Sequence, residues 1–411
     1  MNRVFDICVV GAGLWGSAAA KYLSENKNIR VCLVGPEEPN KEEYLEADVL
    51  GSHYDEGRIT RETDADPIWA TLAQRSIANY RNLETKTGIS FYSEVGCLTI
   101  GPKGSAYTES VERNSQKQNI PIQRCIKQDL QTLFPYLRRD HTKTYLFTKS
   151  RSGHISPRRL VMAQKTAAHL RGCEIINDTA ISIQKALEGD QGEVVIGTRK
   201  NGDIYARRVL LCPGAFINYH RLLPEGCEVE VKVDTELAVR AEVSGKELAR
   251  LKEMPVMIMF TGKMPDVDDF YLLPPIQYPN GKHYMKIGHH KSFKKELKNL
   301  EEVKQWFAKS GDKDIGEFLL QLLHHYIDFE ETSVEIDGAV TAGTPTKYPF
   351  CGMVSPSIGI LTGGNGYGAK SSDEIGRMGA KLIAKGEWDH DLPEELFRPQ
   401  FKSQKSNKSK L

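Results

Sequence analysis

A glycine-rich turn near the N-terminus constrains the fold of this chain more than any other feature. An apolar run at 5–10 leads into the sequence GAGLWG, which is followed by a helix-forming stretch and a second apolar run at 31–34. In a strand–turn–helix–strand unit, such glycines allow a tight turn, close approach of a pyrophosphate to the backbone, and packing of the helix on the strand. We therefore predict a Rossmann-like α/β unit that binds a dinucleotide at a helix N-terminus, through Gly11, Ala12, Gly13, Leu14, Trp15 and Gly16.

The second strand of this unit lacks the acidic residue that usually holds the ribose of the dinucleotide. Val34 is followed by Gly35, and the nearest acids are Glu37 and Glu38. No arginine follows the strand to bind a 2′-phosphate. The ribose contact therefore departs from the common pattern, and we expect modest affinity for the dinucleotide.

A second strand, glycine loop and helix occur near the C-terminus. Residues 358–362 predict a strand, GGNGYG at 363–368 a loop, and residues 371–385 a helix that ends at Gly386. Two such turns at opposite ends of the chain indicate a ligand longer than one mononucleotide. If that ligand carries a flavin, the positive end of the late helix would stabilise the negative charge of the reduced ring. A tight turn for close packing is the alternative interpretation.

Composition excludes several classes of protein. The chain of 411 residues has 55 Lys and Arg against 54 Asp and Glu, so it lacks the basic excess of a nucleic-acid-binding protein. No apolar run approaches the roughly 18 residues of a membrane span. Eight scattered cysteines without a CxxC pair predict reduced intracellular thiols and no metal site.

The rest of the chain is predicted from local patterns. Residues 67–87, the stretch after Ser156-Pro157, and 300–330 are predicted helices, and 91–100 and 175–183 are predicted strands. Asn201-Gly202 predicts a hairpin, and a second hairpin joins 270–278 to 282–290. Because side chains alternate along a strand, Lys286, Gly288 and His290 share one face, with open space expected in front of the glycine. An ordinary solvent-facing strand is the alternative.

Six motifs in order carry a family resemblance. GSHYDEGRITR at 51–61 resembles the GSHxxxxRxxR stretch of monomeric sarcosine oxidase and its relatives N-methyltryptophan oxidase, pipecolate oxidase and the fructosyl amino acid oxidases. The further matches cover residues 5–398 and are GHISPRRL at 153–160, CPGAF at 212–216, KIGHH at 286–290, TPTKYPFCG at 344–352 and GYGAK at 366–370. The resemblance implies an FAD-dependent amine oxidase of the D-amino acid oxidase superfamily.

The resemblance also implies the domain organisation. We expect an α/β fold with a discontinuous FAD-binding Rossmann-like domain at 1–86, 150–218 and 334–400. An inserted α+β substrate domain, built on a mixed sheet, would comprise 87–149 and 219–333. Residues 401–411 are expected to form a flexible tail.

Roles for individual residues follow from the matched motifs. Arg61 and Lys370 match the pair that holds the substrate carboxylate, as a guanidinium and an ammonium can. Arg58 matches an arginine near the flavin ring. Lys286 matches the lysine that reaches flavin N5 through a water and assists the reaction with O2, and His290 matches a histidine beside the bound amine. Further cofactor-binding residues are expected to be Ser52, Tyr54, Arg58, Ala180, Gly214, Gly366, Tyr367, Gly368 and Lys370.

Departures from the family pattern cluster around the cofactor. Residues 337–343, DGAVTAG, contain no cysteine where several relatives tether FAD, so we predict non-covalent FAD. Tyr54 and Tyr367 replace family histidines, and Thr346-Lys347 replaces an acidic position. These changes are compatible with weaker flavin binding, a changed flavin potential, or lost activity.

The expected activity is oxidation of a secondary amino acid, N-alkyl or cyclic, to an imine, with O2 reduced to H2O2. Tyr271 and residues 257–260 are expected to line the apolar side of the pocket. The chain ends in Ser409-Lys410-Leu411, which predicts recognition by the peroxisomal import receptor and a peroxisomal location. The alternatives are an amine dehydrogenase with another electron acceptor, a nicotinamide-dependent dehydrogenase, and a flavin-binding protein without activity.

Overall fold

The structure of the protein, a computed structural model, describes residues 4–40, 42–185, 194–261, 269–289 and 293–402. The strands are β1 Val4–Val10, β2 Val31–Val34, β3 Arg58–Arg61, β4 Tyr92–Ser93, β5 Cys97–Pro102, β6 Gln123–Arg124, β7 Lys143–Thr148, β8 Ser152–Ile155, β9 Glu174–Ile176, β10 Ala180–Lys185, β11 Val194–Thr198, β12 Asp203–Leu211, β13 Lys232–Val243, β14 Val256–Phe260, β15 Asp269–Gln277, β16 His283–His289, β17 Ser333–Gly343, β18 Phe350–Ser355 and β19 Ile358–Thr362. The α-helices are α1 Leu14–Leu23, α2 Pro67–Thr87, α3 Ala106–Lys117, α4 Lys127–Leu133, α5 Pro157–His169, α6 Gly245–Leu251, α7 Leu300–Ala308, α8 Lys313–Tyr326, α9 Ser372–Lys385 and α10 Glu394–Phe397.

The first sheet has the expected Rossmann-like centre. Its main order is β10-β11-β12-β1-β2-β9, with β1 parallel to both β2 and β12. The far side of β12 pairs with β11 through its first half and with β19 through its second half. Strand β1 is apolar and largely buried, as a central parallel strand requires. Helices α1, α5 and α9 pack together beside this sheet, which confirms the predicted α/β class.

The second sheet is mixed, as predicted. Its order is β17-β13-β16-β15-β14-β5-β7-β6, and β14 runs parallel to β5 while the other neighbours are antiparallel. One face carries apolar residues, including Val239 and Ile287, that share a core with Leu323 of α8. The opposite face carries Lys286, Gly288 and Tyr271, because these residues are aligned across β15 and β16. A small sheet, β3-β8-β4, supplies Arg58 and Arg61.

Three predicted segments are interrupted in the structure. The stretch 175–183 divides into β9 and β10, because Asp178 forms a turn in which its carboxylate accepts hydrogen bonds from the backbone N–H groups of Lys200 and Asn201, at 2.9 and 2.7 Å. The stretch 91–100 is broken at Gly96, which has φ +83°. The stretch 300–330 divides into two helices around Gly311, which has φ +94°. In each case a turn, rather than the apolar pattern, sets the element boundary.

The sheets also bear on the predicted domain boundaries. Strand β17 pairs with β13 in the second sheet along its whole length, from Ser333 to Gly343. The predicted return to the first domain at residue 334 therefore needs correction, since the first strand that rejoins the first sheet is β18. The other predicted helices and both hairpins appear where expected, with α2 at 67–87 and β11–β12 turning at Asn201-Gly202.

Two features are absent from the described residues. No helix in the described part of the chain is long and apolar enough to cross a membrane. Within the same residues, no cluster of three or more His, Cys, Asp or Glu side chains is arranged to hold a metal ion. The eight cysteines are free thiols, and only Cys227 is exposed.

Candidate active site

The first glycine loop forms a cradle with one open position. Gly11 has φ +104°, and a Cβ built on it would lie 2.2 Å from the carbonyl oxygen of Cys212. A Cβ on Gly16 would lie 1.8 Å from the carbonyl oxygen of Gly11. Gly13 differs, because the nearest atom to its added Cβ is Nδ1 of His53, 3.7 Å away. Since α1 begins at this point without a side-chain cap or an acid in its first turn, its free N–H groups provide an anion site.

His53 adds a neutral hydrogen-bonding group to this cradle. Its side chain is buried, and Nδ1 has no hydrogen-bond partner. Burial, followed by the charges of Lys165 and Arg158, lowers the pKa of His53 to about 3. The imidazole is therefore neutral at physiological pH, and its unpartnered nitrogen fits a polar ligand held over Gly13.

The geometry explains why glycine follows the second strand. A Cβ at position 35 would lie 2.5 Å from the backbone nitrogen of Ala12 and 2.6 Å from its Cβ, so the acidic residue of the common pattern does not fit without a shift. Nearby, the Tyr54 hydroxyl donates to the carbonyl oxygen of Glu37 at 3.2 Å, and its ring packs edge-on against His53. Tyr54, at a position where the family pattern has histidine, therefore packs against His53 beside the cradle.

The two glycine loops lie side by side. Nε1 of Trp15 donates to the carbonyl oxygen of Gly368 at 2.9 Å, although the residues are 353 positions apart. Behind them α9 packs closely on α1, since a Cβ on Gly376 would lie 2.3 Å from Cβ of Ala18. The two glycine loops therefore adjoin, as a single ligand that contacts both of them would require.

Lys286 lies in a buried ionic cluster that the sequence did not reveal. Its Nζ forms an ion pair with Asp55 and also donates to the carbonyl oxygen of Gly57 at 3.3 Å. Arg58 forms an ion pair with the same carboxylate. The Tyr278 hydroxyl donates to the other carboxylate oxygen of Asp55 at 2.8 Å. Two cations, one carboxylate and one phenol are thus held between the loop before β3 and the face of the second sheet.

Burial dominates the electrostatics of Lys286. The side chain is 3 % exposed, and burial together with the nearby Arg58 guanidinium lowers its pKa well below the ordinary lysine value. The Asp55 carboxylate opposes that effect because it favours the charged ammonium. The pKa of Lys286 therefore depends on the balance between burial and the charges of its ionic partners.

The space expected in front of Gly288 is filled. A Cβ on Gly288 would lie 2.4 Å from the hydroxyl oxygen of Tyr271, so the tyrosine side chain lies directly against the glycine. Burial raises the pKa of Tyr271 to about 12. The glycine thus accommodates an aromatic side chain on the sheet face that carries Lys286, and the predicted opening there is wrong.

Arg61 and Lys370 come together as predicted, but a third residue lies between them. Asp64 pairs with both cations through the same oxygen, Oδ2, which lies 3.2 Å from Nη2 of Arg61. All three side chains are at most 5 % exposed. Nη1 of Arg61 is buried and has no partner, so its N–H groups are free to donate to a ligand.

Protonation of this trio depends on the balance of burial and charge. Burial lowers the pKa of Lys370 to about 8, with a further contribution from Arg61 and an opposing one from Asp64. Burial raises the pKa of Asp64, but Lys370 and Arg61 outweigh burial and bring the pKa below its ordinary value. At neutral pH the trio therefore carries two positive charges and one negative charge.

Aromatic side chains surround the trio. The Tyr107 hydroxyl lies 3.5 Å from Nη2 of Arg61, and its ring stacks on Phe260 with centroids 3.5 Å apart. On the other side, the Tyr367 ring lies 5.0 Å from Nζ of Lys370 and stacks on Trp69. Only tertiary structure brings Tyr107 to the site, because it belongs to an otherwise ordinary amphipathic helix.

The other predicted site residues have diverse surroundings. The Ser52 carbonyl accepts from Nη2 of Arg58 at 3.1 Å, and the Gly214 carbonyl accepts from the Thr362 hydroxyl at 2.7 Å. Ala180 is buried at the start of β10, opposite Thr198. Gly366 occupies the left-handed region with φ +78°. His290 lies outside the described residues, so its predicted role remains a prediction.

Comparison with known proteins identifies the family. The model of the DAO family, described as FAD dependent oxidoreductase, matches residues 6–382. The chain belongs to this family. FAD is therefore its cofactor, and the predicted recognition as a member of the D-amino acid oxidase superfamily is confirmed. The family match also favours FAD over the nicotinamide cofactor that the glycine loops alone allowed.

Individual relatives are more distant. N-methyl-L-tryptophan oxidase of Yersinia pestis is 24% identical over 221 residues, which are 54% of this chain and 56% of that protein. The match thus spans about half the length of the curated relative. Among solved structures, NikD, an unusual amino acid oxidase essential for nikkomycin biosynthesis, aligns over 98% of this chain and 99% of its own with a TM-score of 0.76 and 18% identity. Amadoriase I from Aspergillus fumigatus aligns over 96% and 90% with a TM-score of 0.67 and 16% identity.

The residues present fit FAD. The open position at Gly13, the uncapped start of α1 and the unpartnered Nδ1 of His53 together suit the diphosphate of a dinucleotide. The loop with Gly368 adjoins this cradle through the hydrogen bond from Trp15. This DAO-family protein therefore retains a polar cofactor cradle despite its departures at Gly35, Tyr54 and Tyr367.

Proposed function

We propose that this protein oxidises a secondary amino acid, either N-alkyl or cyclic, to an imine at the expense of O2, with release of H2O2. The observation that carries the proposal is the buried Arg61–Lys370 pair with its unpartnered Arg61 Nη1. A buried guanidinium with free donors is a strong recognition group for a carboxylate. The curated relative that acts on an N-methyl amino acid supports the same substrate class.

The two ionic clusters, one around Asp64 and one around Asp55, would have different roles. Arg61 and Lys370 would hold the substrate carboxylate, while Tyr107, Phe260 and Tyr367 would exclude water around it. FAD, when bound, would supply the two-electron oxidation of the C–N bond, with O2 as the final electron acceptor. Lys286, when protonated beside Asp55, would favour the negative charge that develops during oxygen reduction. The imine product is then hydrolysed by water.

A dehydrogenase that uses another electron acceptor is the second candidate. The specific observation in its favour is Asp55, whose carboxylate offsets part of the positive charge of Lys286 and Arg58. Less net positive charge would favour reduced oxygen species less strongly. The two candidates differ in their dependence on Lys286, because only the oxidase needs it for reaction with O2.

Non-covalent binding of FAD is part of the proposal. No cysteine occurs at 337–343, where the resemblance predicts the tether. Cys351, the next cysteine along the chain, is 1 % exposed, and burial raises its pKa to about 12. A buried neutral thiol is a poor nucleophile, which supports the absence of a tether through this residue.

A peroxisomal location is a further part of the proposal. The terminal Ser409-Lys410-Leu411 matches the address read by the peroxisomal import receptor, and H2O2 is a product suited to that compartment. The tripeptide lies outside the described residues. A reporter fused to residues 401–411 should enter peroxisomes, and deletion of the last three residues should leave it in the cytosol.

The activity is tested by oxygen uptake with the purified protein. N-methyl amino acids and cyclic imino acids should each be compared with the corresponding amine that lacks the carboxylate. We expect equimolar O2 consumption and H2O2 formation with at least one amino acid, and none with its decarboxylated analogue. Turnover with an artificial electron acceptor but without oxygen uptake would support the dehydrogenase instead.

A further inference from the structure

Asp64 lies between Arg61 and Lys370, the pair of cations that we call the carboxylate clamp. Its Oδ2 already pairs with both cations that are expected to hold the substrate carboxylate. It therefore competes directly with any anionic ligand for these cations. The clamp nevertheless retains a free group, since Nη1 of Arg61 is buried without a partner.

The position of Asp64 is fixed by its backbone surroundings. Its Oδ1 accepts a hydrogen bond from the backbone N–H of Asp66 at 3.1 Å, and Asp66 in turn caps α2 by accepting from Ile68 and Trp69. Asn114 donates to the carbonyl oxygens of Asp64 and Ala65, at 3.3 and 2.7 Å. Asn114 thus anchors the backbone of this segment, and the Asp66 N–H holds one carboxylate oxygen while the other oxygen pairs with the two cations.

The charges of the clamp set its capacity for anions. Arg61 and Lys370 contribute two positive charges and Asp64 one negative charge, which leaves a net charge of +1 in a buried site. One ligand carboxylate neutralises that charge. A second anionic group on the ligand would leave a net negative charge in low dielectric beside the Asp64 carboxylate, which is costly.

We infer that Asp64 sets the charge specificity of this clamp. The site binds ligands that present a single carboxylate to Arg61 and rejects ligands with a second anionic group close to the first. The inference rests on the proposed function, because it takes the clamp as the place of the substrate carboxylate. It narrows the substrate class to monocarboxylic amino acids.

Two non-reacting ligands of matched size test the inference. Propionate and malonate each have three carbons, but only malonate has a second carboxylate. Binding to the FAD-loaded protein is followed by the change in the visible spectrum of the flavin. The unmodified protein should bind malonate at least about tenfold more weakly than propionate, since like charges in a buried site repel strongly.

Substitution of Asp64 isolates its contribution. Asp64→Asn keeps an oxygen acceptor for Asp66 and removes the negative charge, so the preference for propionate should fall to about threefold or less, a loss of most of the like-charge repulsion. Asp64→Ser removes the same charge with a smaller side chain and should show the same loss. The matched control is Glu62→Gln, since Glu62 lies in the same segment and is buried but pairs with Arg151 outside the clamp.

The outcomes separate this inference from the proposed function. A reduced preference in both Asp64 variants, with the Glu62 variant unchanged, supports the inference. The inference alone is overturned if the unmodified protein binds propionate and malonate with equal affinity. It is also overturned if the Asp64 variants keep the preference of the unmodified protein. Failure of the FAD-loaded protein to bind either ligand would overturn the proposed function together with it.

Discussion

Lys286 and Asp55 form a buried ion pair that joins the second sheet to the loop before β3, across 231 positions of the chain. The pair is extended by Arg58 and by the Tyr278 hydroxyl. A parallel arrangement occurs around Asp64, which joins Arg61 to Lys370. Each pair of predicted functional cations is therefore balanced by one aspartate, and these aspartates control the charge available at the site.

The first prediction concerns the proton on Lys286. Asp55→Asn removes the carboxylate that favours the ammonium, so the pKa of Lys286 should fall further below its ordinary value. The rate at which reduced protein reacts with O2 should then decline at lower pH than in the unmodified protein. At a pH well above the pKa, the protonated fraction of the lysine falls about tenfold for each further pH unit.

Stopped-flow measurement of flavin reoxidation against pH checks this prediction. Lys286→Met gives the reoxidation rate without the ammonium group. Tyr278→Phe is a control that removes a hydrogen bond to Asp55 and keeps every charge. Identical pH profiles for the Asp55→Asn variant and the unmodified protein would contradict the assigned role of Asp55.

The second prediction concerns the pH dependence of carboxylate binding. Burial lowers the pKa of Lys370 to about 8, and only the protonated lysine can pair with a ligand carboxylate. The Kd for propionate should be flat below pH 8 and rise about tenfold per pH unit well above it. Lys370→Met should bind propionate more weakly and lose this break. A break that persists in Lys370→Met would assign the titration to another group.

The third prediction distinguishes two glycines of the cofactor cradle. Gly13→Ala adds a methyl group whose nearest protein atom is Nδ1 of His53, 3.7 Å away, so the protein should fold normally. The methyl group would occupy space expected for the cofactor, so FAD should bind more weakly. Gly11→Ala forces a side chain onto a backbone at φ +104° and against the Cys212 carbonyl. That variant should lose about 2 kcal/mol or more of stability.

Flavin fluorescence quenching and thermal unfolding of the FAD-free protein separate the two effects. The expected pattern is a raised Kd for FAD with unchanged unfolding for Gly13→Ala, and impaired unfolding stability for Gly11→Ala. Unaltered FAD affinity in the Gly13 variant would show that the cofactor does not approach the backbone there.

The fourth prediction concerns stability. Glu374 is 2 % exposed and accepts hydrogen bonds from Arg377, Arg75 and His390. Burial raises its pKa, but the hydrogen bonds from Arg377 and His390 outweigh burial and lower the pKa to about 2. Glu374→Gln removes the charged acceptor of Arg377, while the partly exposed Arg75 keeps its pair with Asp391, and should reduce the free energy of unfolding by about 2 kcal/mol at neutral pH.

The sign of the pH dependence follows from the lowered pKa. The folded-state pKa lies below the unfolded value, so the stabilisation is present above about pH 4.5 and is lost as the pH falls toward 2. Denaturant unfolding at several pH values should therefore show a gap between the two proteins that closes in acid. Asp389→Asn, which breaks surface ion pairs, serves as the control and should have little effect. If the difference in the free energy of unfolding between the two proteins does not change with pH, the ionised Glu374 carboxylate is not its cause.

The sequence predicted the cations of the site better than their partners. Arg61 and Lys370 were recognisable because they lie within motifs with fixed spacing. Asp64 and Asp55 carried no comparable signal, because ion pairs that join residues 306 and 231 positions apart depend on how the sheets pack. Tyr107 was missed for the same reason, since its helix reaches the site only through tertiary structure.

The fold shows a similar division. Glycine turns, caps and the Asn201-Gly202 hairpin are local signals, and the corresponding elements appear where predicted. The pairing of β17 with β13 is non-local, and the apolar pattern of β17 does not specify which sheet it joins. Gly288 was expected to leave open space, but the aligned Tyr271 fills it. Alternation along a strand identifies a face and leaves the neighbouring side chains undetermined.

The most direct test of the proposed activity is anaerobic mixing of the purified protein with N-methyl and cyclic amino acids while the visible flavin spectrum is recorded. Acid precipitation of a second sample shows whether the flavin is released. We predict that acid precipitation releases the flavin into the supernatant. We also predict that at least one monocarboxylic secondary amino acid bleaches the visible flavin band and that O2 restores it. Flavin that none of these amino acids bleaches would contradict the proposed oxidation and favour a flavin-binding protein without this activity.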